Sequence, residues 1–122
     1  MSNYKVIVMD MDDTLINSNN EVSPETKEYL IDIQNQGYRL VLASGRPTEG
    51  MLPIARELEL DKHDSYIISY NGGKTIKVAT EEVEVSKSVS KENFDKIADY
   101  CREKNFLVLT YQDGHIIHDG DH

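Results

Sequence analysis

The apolar positions of this chain fall into three rhythms. The runs Val6 to Met9 and Leu40 to Ala43 are apolar at every position, the pattern of a parallel-sheet strand covered on both faces. Between them Tyr29, Leu30 and Ile33 recur with a helical period, and a helix over residues 24–36 is expected to turn them toward the sheet. Ser23 and Pro24 supply a cap and a proline at the first helical position, while Gly37 is placed to end the helix in a left-handed conformation. A strand-helix-strand unit of this kind implies a right-handed crossover and a parallel sheet. A second helix is expected over residues 48–58, with Met51, Leu52, Ile54, Ala55 and Leu58 inward. Pro53 should leave its first turn irregular. A third strand, residues 66–69, runs into Tyr70-Asn71-Gly72-Gly73, where Asn-Gly is a strong signal that the chain turns back.

From Lys74 the rhythm changes to alternation. Residues 74–78 and 83–89 read as an antiparallel pair, and Ser90 caps a helix over 91–104 in which Phe94, Ile97, Ala98 and Cys101 share a stripe. Strands over 106–111 and 115–118 then flank a turn at Asp113-Gly114. This stretch reads as the start of a second, smaller α+β unit.

Charge and length narrow the classes. The chain has 122 residues and a formal net charge of -9, with no basic stripe, so nucleic acid and anionic membrane surfaces are disfavoured as partners. Its apolar runs fall far short of a membrane span, and the first residues lack the apolar segment of a signal peptide. A cytoplasmic protein is expected. Cys101 is the single cysteine and reads as a buried, inert thiol. His115 and His118 sit an odd number of residues apart on a strand and so face opposite ways, against a shared metal site.

Candidate chemistry gathers where the strands end. Alternation along the first strand would put Asp10 and Asp12 on one side and Asp13 on the other. Two crowded carboxylates need a shared proton or a cation, for which Mg²⁺, a hard ion, is the natural choice. The plainer alternative is a solvated acidic turn with Thr14 as a cap. The second strand ends in Ser44-Gly45-Arg46-Pro47. Ligands of open parallel sheets sit beyond the carboxyl ends of the strands, so these residues should share a crevice with the acids. Ser44 offers a hydroxyl, Gly45 a close backbone approach, and Arg46 a fork for phosphate or carboxylate oxygens. Arg46 could instead merely pair with Glu49. Asn71 lies on the same edge, as a ligand partner or a turn residue.

The set Asp10-Met11-Asp12-Asp13-Thr14-Leu15, Ala43-Ser44-Gly45-Arg46-Pro47 and Tyr70-Asn71-Gly72-Gly73, in this order on this scaffold, resembles the haloacid dehalogenase superfamily. More narrowly it is similar to the Cof-type phosphatases, whose α+β cap is inserted after the third core strand. The resemblance implies an α/β fold with a Rossmann-like parallel sheet and helices on both faces, a partial core over residues 1–82 and the start of an α+β cap over 83–122. It implies phosphomonoester hydrolysis through an aspartyl-phosphate. Asp10 would be the nucleophile and Asp12 the acid and base, with Mg²⁺ on the Asp10 carboxylate and the Asp12 main-chain carbonyl. Met11, Ser44, Gly45, Arg46 and Asn71 would bind the substrate or its phosphate, a sugar phosphate or other small phosphorylated metabolite. Thr14 would order the loop, and Asp13, where the family often has glycine, receives no chemistry.

The family pattern continues to a phosphate-steadying lysine and a further acidic motif. Lys74, Lys77 and Lys87 lie in the wrong context for that lysine, so the chain reads as the amino-terminal part of a longer enzyme. Two alternatives stand beside this one. A response-regulator receiver domain would need an aspartate at the end of the third strand, where Ser69-Tyr70-Asn71 stands. A non-catalytic fragment would only fold, or self-associate through an exposed first strand.

Overall fold

Residues 5–112 and 115–119 are described by the computed structural model. Strands β1 (Val6–Asp10), β2 (Arg39–Ala43), β3 (Tyr66–Ser69), β4 (Lys74–Lys77) and β5 (Glu82–Ser86) form one sheet in that order. β1, β2 and β3 are parallel neighbours, with Asp10 opposite Ala43 and Ala43 opposite Ile68. β4 and β5 then continue the sheet antiparallel.

Helix α1 (Pro24–Asn35) connects β1 to β2, and α2 (Thr48–Glu57) connects β2 to β3. Ser23 caps α1 by accepting from the Thr26 N–H at 3.2 Å. Gly37, at φ +98°, ends it, with the Tyr38 N–H reaching back to the Ile33 carbonyl at 3.2 Å. Pro53 lies inside α2, whose first turn is tightened by a bond from the Gly50 N–H to the Pro47 carbonyl at 3.0 Å. Both crossovers step the same way across the sheet, so right-handedness puts both helices on one face. One core cluster joins Leu30 and Ile33 of α1, Met51, Leu52 and Ala55 of α2, and Leu40, Leu42, Ile67 and Ile76 of the sheet.

Three expectations are corrected here. The second face of β1 is open among the described residues, with Val6 51% and Val8 59% exposed, because both helices lie on the opposite face. Tyr29 is also exposed, and Gln34 is buried in its place beneath α1, donating to the Leu58 carbonyl at 2.8 Å and accepting from Ser65. Finally, β4 and β5 belong to the first sheet rather than to a second unit. The chain divides into compact units of residues 1–87 and 88–122, and β5, paired with β4, falls in the first.

The second unit consists of α3 (Lys91–Glu103), capped by Ser90, and a hairpin of β6 (Val108–Gln112) and β7 (His115–Asp119). Cys101 is only partly buried there. The turn expected at Asp113-Gly114 lies outside the described residues.

Candidate functional site

The carboxyl ends of β1, β2 and β3 meet at one edge, and each end is built differently. β1 stops at Asp10, after which the chain wraps around the carbonyl of Met11. That oxygen accepts from the N–H groups of Thr14, Leu15 and Ile16 at 3.4, 3.0 and 3.0 Å. The Met11 side chain is fully buried in the core, so it anchors the turn and is not available to a ligand. Thr14 Oγ1 makes a long 3.4 Å contact to Asp10 Oδ2.

The ends of β2 and β3 are laced to each other. The Ser44 N–H donates to the Ile68 carbonyl, the Asn71 N–H to the Ser44 carbonyl and the Tyr70 N–H to the Arg46 carbonyl, at 3.0, 3.1 and 2.9 Å. Beneath them the buried hydroxyls of Thr48 and Ser69 pair at 2.7 Å, joining the start of α2 to the end of β3. Tyr70 and Asn71 both take left-handed backbone angles. For residues with a Cβ this is a strained arrangement, sustained by the lacing around it. It brings the Asn71 amide over Gly45, where a Cβ on Gly45 would lie 3.0 Å from Asn71 Oδ1. A side chain at position 45 would push the Asn71 amide aside by a few tenths of an ångström. Asp10, Ala43, Ser44, Gly45, Ile68, Asn71 and Gly72 line a cavity of about 280 Å³ at this edge.

Asp12 sits beside this edge, held by Arg46. Arg46 Nη2 donates to Asp12 Oδ1 at 2.7 Å and Nε to Asp12 Oδ2 at 3.1 Å, a two-pronged ion pair. The hydrogen bonds from Arg46 hold the Asp12 carboxyl below its ordinary pKa, assisted by the arginine charge, while Asp12 raises that of Arg46. The remaining bonds of the guanidinium run from Nη2 to Asn20 Oδ1 at 3.1 Å and from Nη1 to the Gly50 carbonyl at 3.3 Å. Four of its five N–H donors are thus engaged within the chain. Ser44 Oγ accepts from the Arg46 N–H at 3.1 Å and lies 3.5 Å from Asp12 Oδ2.

These positions revise the sequence reading residue by residue. Asp10, Ser44, Gly45 and Asn71 come together around the cavity. Asp12, in the turn that follows β1, sits beside them, its carboxylate 3.5 Å from Ser44 Oγ and paired with Arg46. Arg46 spends its fork on Asp12, and not on Glu49 or an open ligand position. Asn20 is a member of the cluster that sequence reasoning missed. Its one local signal is that asparagine tolerates the left-handed backbone it adopts, φ 60°, and nothing local announces a contact with a residue 26 positions away.

Among the described residues no group of three or more histidine, cysteine or acidic side chains is arranged to hold a metal ion. The donor set nonetheless fits a hard cation in part. Asp10 lines the cavity, whereas both carboxylate oxygens of Asp12 are taken by Arg46, so that Asp12 would offer its main-chain carbonyl. Mg²⁺ keeps several waters and uses one or two carboxylates together with substrate oxygens, which this set allows.

Comparison with known proteins gives a consistent result. A family model described as haloacid dehalogenase-like hydrolase matches residues 7–122. YxeH of Bacillus subtilis is 34% identical over 100 residues, covering 82% of this chain and 37% of that protein. The 5-amino-6-(5-phospho-D-ribitylamino)uracil phosphatase YwtE of the same organism is 30% identical over 113 residues, covering 93% of this chain and 37% of YwtE. Among solved structures, a haloacid dehalogenase-like hydrolase from Bacteroides thetaiotaomicron matches with a TM-score of 0.85 and 41% identity, over 96% of this chain and 44% of that one. The chain therefore spans less than half the length of each of these relatives.

Proposed function

Because the chain belongs to the haloacid dehalogenase-like hydrolases, matched over residues 7–122, we propose that the cavity at the end of β1 is the phosphate site of a phosphomonoester hydrolase. One observation carries this reading: Asp10, at the end of β1, lines the same cavity of about 280 Å³ as Ser44 and Gly45, at the end of β2. An oxygen of Asp10 attacks phosphorus as the bond to the leaving oxygen breaks, giving an aspartyl-phosphate on Asp10. Asp12 gives its proton to the leaving oxygen. It then takes a proton from the water that attacks phosphorus and frees Asp10. The Ser44 hydroxyl, the Gly45 N–H and the Asn71 amide hold phosphate oxygens. The Asp10 carboxylate and the Asp12 main-chain carbonyl would hold Mg²⁺, whose positive charge would offset repulsion between the nucleophile and a dianionic ester.

Arg46 bears on the two halves of this cycle differently. By lowering the pKa of Asp12, it favours the carboxylate that the second, water-activating half needs. The first half needs the acid form, and the negative charge of an incoming phosphate moves Asp12 toward it.

The substrate class in this reading is a small phosphorylated metabolite. YwtE, whose name specifies a phosphate ester on a ribityl chain, is the supporting relative for a sugar-like phosphate. The reading also takes this chain as the amino-terminal part of a longer enzyme, with little or no turnover by itself, in keeping with the 37% of YxeH and YwtE that it covers. In the longer enzyme, Asp10→Asn should abolish p-nitrophenyl phosphate hydrolysis, since loss of a nucleophile costs many orders of magnitude. Normal turnover with asparagine at position 10 would remove the assignment.

A further inference from the structure

An ion pair as exposed as Arg46–Asp12, with side chains 28% and 50% accessible, is held weakly on its own, because water and side-chain entropy compete with it. Here the guanidinium is gripped from two sides. Nε and Nη2 meet the two oxygens of Asp12, the other Nη2 hydrogen goes to Asn20 Oδ1, and Nη1 reaches the Gly50 carbonyl. Since arginine only donates, the Asn20 atom facing it must be the amide oxygen. We infer that Asn20 is a positioning residue for Asp12, acting through Arg46. Its oxygen keeps the guanidinium in the orientation that presents Nε and Nη2 together to the carboxylate.

The loop that carries Asn20 is built to hold it. Asn17 Oδ1 accepts from the N–H groups of Asn19 and Glu21 at 2.8 and 3.1 Å, and the Asn20 N–H donates to the Asn17 carbonyl at 3.0 Å. These bonds close residues 17–21 into a small turn and set Asn20 in its left-handed conformation. The clamp thereby joins three segments: the turn after β1, the loop before α1 and the first turn of α2. The catalytic meaning of the clamp rests on the proton-transfer role proposed for Asp12, although the clamp itself is testable without it.

The test uses the 122-residue chain with ¹⁵N and ¹³C labels. Asn20→Gly removes the acceptor and keeps the left-handed backbone free of strain, whereas Asn20→Asp keeps an acceptor in place. In Asn20→Gly, rotation about the Arg46 Cζ–Nη bonds should quicken by about tenfold, the factor expected for loss of one charge-assisted hydrogen bond. The Asp12 ¹³Cγ signal should shift with it, and Asn20→Asp should restore both, while the thermal midpoint stays close to native. Unchanged Arg46 rotation in Asn20→Gly, or an Asn20→Asp chain that behaves like it, would overturn the inference. The phosphate-site reading fails by a different sign. If inorganic phosphate does not move the Ser44 and Gly45 amides of the native chain, that reading is lost whatever Arg46 does.

Discussion

Arg46 and Asp12 lie 34 positions apart in the chain and meet in a two-pronged ion pair at 2.7 and 3.1 Å. The pair couples the end of β1 to the end of β2. It also lowers the pKa of the acid that the proposed reaction asks to act both as donor and as acceptor of a proton.

Replacing Arg46 by methionine should raise the Asp12 pKa toward the ordinary carboxylate value, read from its ¹³Cγ titration. The sign for stability follows. The folded value is lowered, so the contribution is present above the unfolded pKa and is lost as pH falls through the folded one. The Arg46→Met chain should therefore lose less stability on acidification than the native chain. An unmoved Asp12 titration would show that the pair does not persist in solution.

Gly45→Ala tests the close approach between Gly45 and Asn71. The added Cβ would stand 3.0 Å from Asn71 Oδ1, a contact that the far end of a side chain relieves by moving. The stability loss should therefore fall at or below the low end of the roughly 1–3 kcal/mol usual for overpacking. The displaced amide should nonetheless disturb the cavity. Denaturant unfolding should show a nearly native chain whose Ser44 and Asn71 amides respond less to inorganic phosphate; a native response would separate Asn71 from the site.

Much of the scaffold was legible in advance because its signals are local. The Ser23-Pro24 start, the Gly37 stop and the unbroken apolar run of β2 each specify a nearby backbone conformation, and α1 and β2 form within a residue of expectation. What was not legible depends on partners brought from afar. The exposure of Val6 and Val8 reflects which face the crossovers leave open, and the placement of β5 reflects its pairing with β4. The same holds at the site. Asp10, Ser44, Gly45 and Asn71 could be placed because strand ends locate them, whereas the Asp12, Arg46 and Asn20 cluster forms between two connections, β1 to α1 and β2 to α2, whose paths no periodicity records.

Mg²⁺ should bind this chain weakly. The Asp10 carboxylate and one main-chain carbonyl leave most of six coordination positions to water, and both oxygens of Asp12 are engaged by Arg46. Millimolar Mg²⁺ should shift the amides of Asp10 to Thr14 in a titration that Asp10→Asn abolishes. Absence of any shift there would refute the cation site.

The last prediction concerns the edge of the sheet. Among the described residues β1 is a terminal strand, paired on one side only. The Arg39 N–H donates to the Lys5 carbonyl at 2.7 Å, so in the parallel pattern Lys5, Ile7 and Met9 turn their backbone groups toward β2, while Val6 and Val8 turn theirs outward. The side chains of Val6 and Val8 are exposed as well, so free hydrogen-bonding groups and apolar surface coincide. The opposite edge differs: β5 carries Glu82 and Glu84, charges of the kind that discourage pairing, whereas Val6 to Met9 has neither charge nor proline. We therefore expect two copies of the 122-residue chain to pair through β1, burying these valines against each other. Light scattering after size exclusion should show a species larger than the monomer as concentration rises, and the Val6 and Val8 amides should become protected from hydrogen exchange in step with it. Val8→Lys, which places a charge on the open face without entering the core, should restore the monomer. A native chain that stays monomeric at every concentration, with Val6 and Val8 amides exchanging freely, would refute the pairing.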